Sequence, residues 1–228
     1  MLEIVRIHNE LLGTYGDRGN ADVLKFRADM RKIKARITDI SYLEELPRAG
    51  DIYLLGGAED AAQLLSLTAL RRGNVLKRAA NKGAVVLAIC AGFQILGSDY
   101  STREEEIAGL GLLDVTTVPG ERRLVGDIAV QTDLFDFPLT GFENHGSVTT
   151  LGEDANPFGV VIQGNGNGVA GVDGAISQNI FGTYLHGPVL ARNPEFADLL
   201  LERAIGAPIP QISDELAERY AEWRRTLV

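Results

Sequence analysis

Cys90 is the residue best suited to chemistry, because it is the only cysteine of the chain and lies at a predicted turn. Residues 84–89, just before it, are all apolar and several are β-branched, which predicts a strand covered on both faces. The small residues Ala91 and Gly92 follow directly. This order is typical of a nucleophile elbow, a strained strand-to-helix turn that presents a nucleophile. Ala88 stands where the elbow motif prefers glycine.

A helix that begins directly after Cys90 would favour its thiolate form. Unpaired backbone N–H groups and the positive end of the helix dipole lie at a helix N-terminus, and both stabilise negative charge. The same N–H groups are suited to holding a developing oxyanion. A buried structural cysteine is the alternative interpretation, since free cysteines are among the most buried residues.

A catalytic cysteine needs a general base, and the chain has 3 histidines. His8 ends the first predicted strand with no other motif around it, which indicates a packing or surface role. His145 follows Asn144, and His186 follows a buried segment and precedes a glycine. Either of these two would reach Cys90 if its strand ends at the same edge of the sheet. The combination predicts a Cys-His hydrolase.

The elements that must position these side chains follow an alternating pattern up to residue 95, which predicts a doubly wound parallel sheet. The glycine-punctuated segment 11–20 would open a βα unit at the carboxyl edge of that sheet, where ligands bind in open α/β folds. Predicted strands are 2–7, 36–42, 51–55 and 84–89, and predicted helices are 21–35 and one or two within 60–82.

Beyond residue 96 the strands become shorter and more polar, and glycines separate them. Two further helices are predicted, over 193–204 and over 213–227. Ser213 is the expected N-cap of the second, and Leu216, Tyr220 and Trp223 lie on one stripe of it. Packing of this stripe on the body of the protein is favoured over its presentation to a partner.

The composition fits a single domain over residues 1–228, with 45% hydrophobic residues for its core. A net charge of -9 argues against a nucleic-acid or anionic-membrane surface, since both need clustered Lys and Arg. One cysteine excludes an intramolecular disulfide and a cysteine-based zinc site, and no metal site is predicted. Charges interrupt the apolar N-terminus and no run approaches the ~20 apolar residues of a membrane span, so we expect a cytoplasmic protein.

Four motifs together resemble class I glutamine amidotransferases, on the branch that includes cobyric acid synthase. They are Leu-Gly-Gly at 55–57, Ala-Ile-Cys-Ala-Gly-Phe-Gln at 88–94, Glu-Asn-His-Gly at 143–146 and Gly-Thr-Tyr-Leu-His-Gly-Pro at 182–188. The resemblance implies a flavodoxin-like α/β fold, with a mostly parallel twisted sheet flanked by helices. It is closer still to the small glutaminase subunits of lipid II isoglutaminyl synthases, through segments 15–20, 109–114, 123–128 and 141–146.

The resemblance implies a role for each matching residue. Cys90 would attack the side-chain amide of L-glutamine and form a γ-glutamyl thioester, with His186 as the proton shuttle. The backbone N–H groups of Ala91 and of the Gly57 region would hold the oxyanion. Arg123 would bind the α-carboxylate of glutamine, for which a guanidinium is suited. The weaker candidates for substrate contacts are Gln94 and Asn144.

One position departs from the family pattern. Many class I amidotransferases have a carboxylate two residues after the histidine, where it orients the ring. This chain has Pro188 there, so Cys90 and His186 would work as a dyad or with an acidic residue from elsewhere. The resemblance implies that a partner subunit supplies it. The isolated chain is therefore expected to be a poor glutaminase.

The sequence also lacks a G-x-x-x-x-G-K-[ST] phosphate loop, so no cofactor is predicted for this chain. An ATP-using partner is implied, and by resemblance it is a Mur-ligase-like (MurT-like) subunit with ATP and Mg, bound as a heterodimer. That partner would amidate the α-carboxyl of D-glutamate in the lipid II stem peptide to D-isoglutamine. Three alternatives stay open: amidation of cobyrinic acid, a free cysteine hydrolase, and an inactive subunit that regulates a ligase.

Overall fold

The computed structural model describes residues 1–102 and 105–228. Its strands are β1 (Leu2–Ile7), β2 (Ala35–Ile40), β3 (Ile52–Leu55), β4 (Val85–Ile89), β5 (Asp99–Ser101), β6 (Glu106–Ala108), β7 (Val115–Gln131), β8 (Leu139–Leu151), β9 (Gly159–Gln163), β10 (Val172–Asp173), β11 (Ala175–Ser177) and β12 (Ile180–Thr183). Its α-helices are α1 (Asn9–Leu12), α2 (Gly19–Met30), α3 (Asp60–Leu70), α4 (Val75–Ala80), α5 (Ala91–Leu96), α6 (Val189–Arg192), α7 (Pro194–Ile205) and α8 (Glu215–Arg225). A 3₁₀ turn, Arg72–Asn74, joins α3 to α4.

The first sheet has the strand order β11-β12-β4-β3-β1-β2. Five of these strands run parallel, and only the edge strand β11 is antiparallel to its neighbour. Strands β3 and β4 are buried along their whole length, as continuous apolar runs in a parallel sheet should be. The predicted parallel α/β sheet is confirmed.

Helix α2 is shorter than predicted, because it ends at Met30 rather than near residue 35. Lys32 has a left-handed backbone with φ 58°, and the amides of Arg31 and Ile33 both donate to the carbonyl of Ala28. This reversal ends the helix and lets β2 begin at Ala35, where the hydrophobic pattern alone continued the helix.

The second sheet is mostly antiparallel and has the order β10-β9-β7-β5-β6, with β8 paired to β7. The long β7–β8 hairpin changes register between Pro119 and Leu124, as at a β-bulge. Phe142 of β8 also exchanges two backbone hydrogen bonds with His186, at 3.1 and 2.8 Å. This contact ties the hairpin to the chain that follows β12.

Helix α8 begins later than predicted. Asp214 is its N-cap, and the Asp214 carboxylate accepts a hydrogen bond from the amide of Ala217 at 3.3 Å. Ser213 is therefore not the cap. An aspartate caps as well as a serine, so the sequence alone did not separate the two neighbours.

The apolar stripe of α8 faces outward. Leu216 is 82% exposed and Trp223 is 53% exposed, whereas Ala221 is buried. Ion pairs attach the helix instead, with Arg224 on Asp127 at 2.7 Å and Arg225 on Glu195 at 2.9 Å. The prediction that the stripe packs on the body is wrong, because Arg224 and Arg225, which lie outside the stripe, reach acidic partners there.

Within residues 1–102 and 105–228, every helix is too short or too polar to cross a lipid bilayer.

Candidate active site

Cys90 lies at the turn between β4 and α5 with a backbone of φ 53° and ψ -110°. This backbone conformation is strained for a residue other than glycine, and strained residues of this kind are found at functional sites. Gly92 permits the tight turn, because a Cβ atom there would lie 2.7 Å from Cβ of Leu55. The predicted elbow geometry is present. The thiol is buried, with 5% of the residue exposed.

His186 lies beside Cys90 because β12, which precedes it, pairs with β4 in parallel. The amide of Cys90 donates to the carbonyl of Thr183 at 2.9 Å, and this bond joins the ends of the two strands. Further along, the backbone of His186 is fixed by Phe142. The neighbouring strand ends thus bring together the two residues that sequence motifs selected.

Asp17 completes the arrangement. Its Oδ2 atom lies 2.9 Å from Nδ1 of His186, and both side chains are 1% exposed. Asp17 comes from the loop between α1 and α2, at the carboxyl edge of the same sheet. This chain therefore supplies a carboxylate to His186 itself, and the expectation that a partner subunit supplies one stays a prediction. The sequence shows no sign of this contact, because the two residues are 169 positions apart.

The electrostatics favour a protonated ring at His186. Burial alone lowers the pKa of the ring, but the hydrogen bond to Asp17, the neighbouring Cys90 and the charges of both raise this pKa to about 10. The imidazolium is then the main form at neutral pH, and its Nδ1–H donates to Asp17. Nε2 has no well-formed hydrogen bond among the described residues, so it is the ring atom available to exchange a proton at the sulfur or a substrate.

Gly57 has a different task from the one predicted. Its amide donates to Oδ2 of Asp17 at 2.9 Å, so this N–H group is already used and is not directed at an oxyanion in this arrangement. A Cβ atom on Gly57 would lie 2.7 Å from Cε1 of His186 and 2.9 Å from Cδ2 of Tyr15. The glycine orients the carboxylate and leaves room for the imidazole ring.

The oxyanion-binding role of Ala91 stays a prediction, and the geometry is compatible with it. Its amide begins α5 and has no acceptor among the described residues, whereas the next amide, of Gly92, donates to the carbonyl of Gly56 at 3.1 Å. The Ala91 N–H group is therefore the one at the elbow that can receive a developing negative charge.

The other two histidines are buried and neutral. Burial lowers the pKa of His8 to about 4, and its Nδ1 lies 2.8 Å from Oγ of Ser66. Burial also lowers the pKa of His145 to about 4, and its ring stacks on Tyr184 with centroids 3.7 Å apart. His8 has the packing role predicted for it. Among the histidines, only His186 has a carboxylate hydrogen-bond partner within residues 1–102 and 105–228, and this favours His186 over His145 as the general base.

Gln94, one turn into α5, is held by a buried polar network. Its Nε2 donates to the hydroxyls of Ser147 and Tyr184, both at 3.1 Å, and its Oε1 accepts from Gln63 at 3.0 Å. The side chain also lines an open cleft of about 710 Å³ between α3 and the β7–β8 hairpin. Gln94 can therefore contribute to a binding surface in a fixed orientation.

Arg123 lines the same cleft and projects from the irregular part of β7. Its Nε donates to Oδ1 of Asn144 at 2.7 Å, and its Nη2 donates to the hydroxyl of Tyr15 at 2.8 Å. Asn144 thus positions the arginine, and its predicted direct contact with a substrate stays a prediction. The ring of Tyr15 lies 4.8 Å from that of His186, so one side chain links the cleft to the catalytic histidine.

Comparison with known sequences gives one consistent family. The pattern of the CobB/CobQ-like glutamine amidotransferase domain matches residues 3–194. The subunit GatD of lipid II isoglutaminyl synthase (glutamine-hydrolyzing) from Staphylococcus aureus strain N315 is 38% identical, over 97% of this chain and 93% of its own. GatD from Streptococcus pneumoniae is 34% identical, over 97% of this chain and 91% of its own. Cobyric acid synthase from Pelotomaculum thermopropionicum is 34% identical, but over 60% of this chain and 29% of its own.

Solved structures support the fold class. The glutaminase domain of Trypanosoma brucei CTPS with bound acivicin matches 94% of this chain and 98% of its own, with a TM-score of 0.60 and 10% identity. A glutamine amidotransferase from Thermotoga maritima matches 99% and 94%, with a TM-score of 0.56 and 18% identity. The class I glutamine amidotransferase-like fold that the motifs predicted is confirmed.

Proposed function

The chain belongs to the CobB/CobQ-like glutamine amidotransferase family, and from this premise we propose that it hydrolyses L-glutamine through a thioester on Cys90. The observation that carries the proposal is the buried Asp17–His186 pair, which the paired ends of β4 and β12 hold beside Cys90. A thiolate beside an imidazolium is a ready nucleophile at neutral pH, and the carboxylate holds the ring in the orientation that proton transfer requires.

In the first half of the reaction, the Cys90 thiolate attacks the side-chain carbonyl carbon of glutamine and a C–S bond forms. The amide of Ala91 stabilises the oxyanion; loss of one such donor in other enzymes costs ~10²–10³ in rate. When the tetrahedral intermediate collapses, the C–N bond breaks, and Nε2 of His186 gives its proton to the leaving nitrogen. The products are ammonia and a γ-glutamyl thioester.

In the second half, the now neutral His186 takes a proton from water, and the water oxygen attacks the thioester. The C–S bond breaks, glutamate leaves, and the thiolate and imidazolium are restored. The net reaction consumes one glutamine and one water and yields glutamate and ammonia. Arg123 would hold the α-carboxylate of glutamine in the cleft throughout, with its guanidinium oriented by Asn144.

We infer further that this ammonia is used by a partner subunit. Free ammonia is mostly protonated at neutral pH and is then not nucleophilic, so a glutaminase gains from a partner that takes the product directly. The GatD relatives, which match over almost their entire length, support a role as the glutaminase subunit of a lipid II isoglutaminyl synthase. The partner would be a Mur-ligase-like subunit that uses ATP and Mg in the cytoplasm and amidates D-glutamate in the stem peptide.

Labelling with 6-diazo-5-oxo-norleucine, a reactive glutamine analogue, tests the glutaminase proposal. We expect peptide mapping to find the label on Cys90, L-glutamine to protect against it, and Cys90→Ser to abolish it. Absence of label in the wild-type chain, both alone and with the ligase subunit, would favour the alternative of an inactive regulatory subunit.

The acceptor is tested by mixing the chain with a Mur-ligase-like subunit, ATP, L-glutamine and lipid II. Formation of D-isoglutamine in the stem peptide supports the proposal, and amidation of cobyrinic acid instead would support the cobyric acid synthase alternative. The match covers 29% of that cobyric acid synthase but 93% of the Staphylococcus aureus GatD, and the longer match supports the lipid II proposal. Hydrolysis of glutamine with no amidation of either acceptor would support the third alternative, a free cysteine hydrolase.

A further inference from the structure

Glu59 forms a polar cluster with Tyr15 and Arg123 at the wall of the cleft. The Tyr15 hydroxyl donates to Oε1 of Glu59 at 2.9 Å and accepts from Nη2 of Arg123 at 2.8 Å. The same Glu59 oxygen lies 3.8 Å from Nη2 of Arg123. One cationic and one anionic group therefore lie side by side where the cleft begins.

The position of Glu59 in its helix gives no reason for this arrangement. It is the N-cap residue of α3, where a side-chain oxygen can accept from the first amides of the helix. The Glu59 carboxylate makes no such hydrogen bond and points to Tyr15 instead. The side chains of Arg123 and Glu59 are 52% and 68% exposed, and ion pairs this exposed contribute little to the stability of a fold.

The two charges of the cluster are complementary to the two charges of a free α-amino acid. Such a molecule carries its carboxylate and its ammonium group on one carbon atom, so its receptor needs a cation and an anion close together. The cluster is also one side chain away from the catalytic ring, because Tyr15 contacts both Glu59 and His186.

We propose that Glu59 is the specificity residue that binds the α-ammonium group of glutamine while Arg123 binds the α-carboxylate. This inference rests on the proposed glutaminase function and deepens it. On binding, the ammonium group replaces the Tyr15 hydroxyl as the partner of Glu59. The pair then selects free glutamine over N-acylated or peptide-bound glutamine and over analogues without an amino group.

Glu59→Gln in the full chain tests the proposal with two substrates, L-glutamine and 4-carbamoylbutanoate, which is glutamine without its amino group. We expect the variant to lose about tenfold to a hundredfold in kcat/KM for L-glutamine, mainly through KM, because a hydrogen bond to a charged group is lost. Its kcat/KM for 4-carbamoylbutanoate should stay at the wild-type value. Glu153→Gln, the same change at an exposed residue in the turn after β8, is the matched control and should alter neither.

An equal fall for both substrates would overturn the proposal and assign Glu59 a structural role. Unchanged preference for L-glutamine would overturn it as well. A wild-type chain that hydrolyses neither substrate, alone or with its partner, would instead contradict the proposed function itself.

Discussion

At the scale of single residues, the account depends on how Asp17 acts through His186. Asp17 does not touch the substrate in the proposed mechanism and is a positioning residue. Its hydrogen bond and charge help to raise the pKa of His186 from an ordinary 6.5 to about 10, so the ring is protonated when the leaving nitrogen needs a proton. Removal of the Asp17 carboxylate should therefore lower the pKa of His186, and a pH profile can detect this change.

Asp17→Asn should lower kcat by about 10²- to 10⁴-fold, the range in which general acid–base catalysis contributes. The proton that His186 donates is lost as pH rises through its pKa, so activity falls on the alkaline side. The variant has a lower His186 pKa, and its alkaline fall should therefore begin at lower pH than in the wild type. A pH profile of kcat/KM measures this.

Asp22→Asn is the matched control for this prediction, because that carboxylate is 63% exposed on α2 and lies near Arg6 rather than His186. An Asp17→Asn chain with a wild-type rate and an unmoved alkaline limb would mean that the carboxylate has no influence on the histidine.

At the scale of elements, the carboxyl edge of the first sheet assembles the site. The chain leaves β4 at Cys90, leaves β12 towards His186 and leaves β3 at Gly56 and Gly57, and these three strands are neighbours. At Gly57 the backbone lies so close to the catalytic ring that a Cβ atom there would be 2.7 Å from Cε1 of His186. The spacing of the site therefore depends on a position that lacks a side chain.

Gly57→Ala should displace the imidazole ring, since the new methyl carbon would lie 2.7 Å from Cε1 of His186. A shift of about 1 Å at a reacting group can cost about 10²-fold in rate, and we expect a loss in kcat of that order. Circular dichroism should find the fold retained. A wild-type kcat in this variant would indicate that the loop after β3 does not confine the imidazole ring of His186.

Trp223→Ala on α8 should change the free energy of unfolding by less than about 0.5 kcal/mol, because the indole faces solvent. Phe196→Ala on α7 is the contrast, since Phe196 is fully buried and its loss should cost about 3–5 kcal/mol. Urea unfolding followed by circular dichroism measures both. Similar losses in the two variants would mean that the α8 stripe is packed after all.

At the scale of the whole molecule, local patterns were predictable from the sequence and distant contacts were not. The strand, turn and helix around Cys90 are encoded in one continuous segment, residues 85–96, and His186 lies in a motif of its own. Asp17 was beyond reach because its contact with His186 depends on the order of the strands, which brings a loop near the N-terminus to β12. The outward face of α8 was likewise missed, since periodicity identifies a stripe but not its direction.

The same distant contact changes what is expected of the isolated subunit. Because Asp17, His186 and Cys90 lie together in one chain, the proposed mechanism assigns thioester formation to residues of this chain alone. A ligase subunit would then be needed to use the ammonia rather than to complete the nucleophile.

The most direct measurement is rapid-quench intact-mass analysis of the isolated chain mixed with L-glutamine. The account predicts a transient γ-glutamyl adduct on Cys90, formed much more slowly in Asp17→Asn and absent in Cys90→Ser. If the isolated chain formed no adduct but formed one once the ligase subunit was added, the account would be contradicted. A residue of the partner would then be needed to complete the catalytic site.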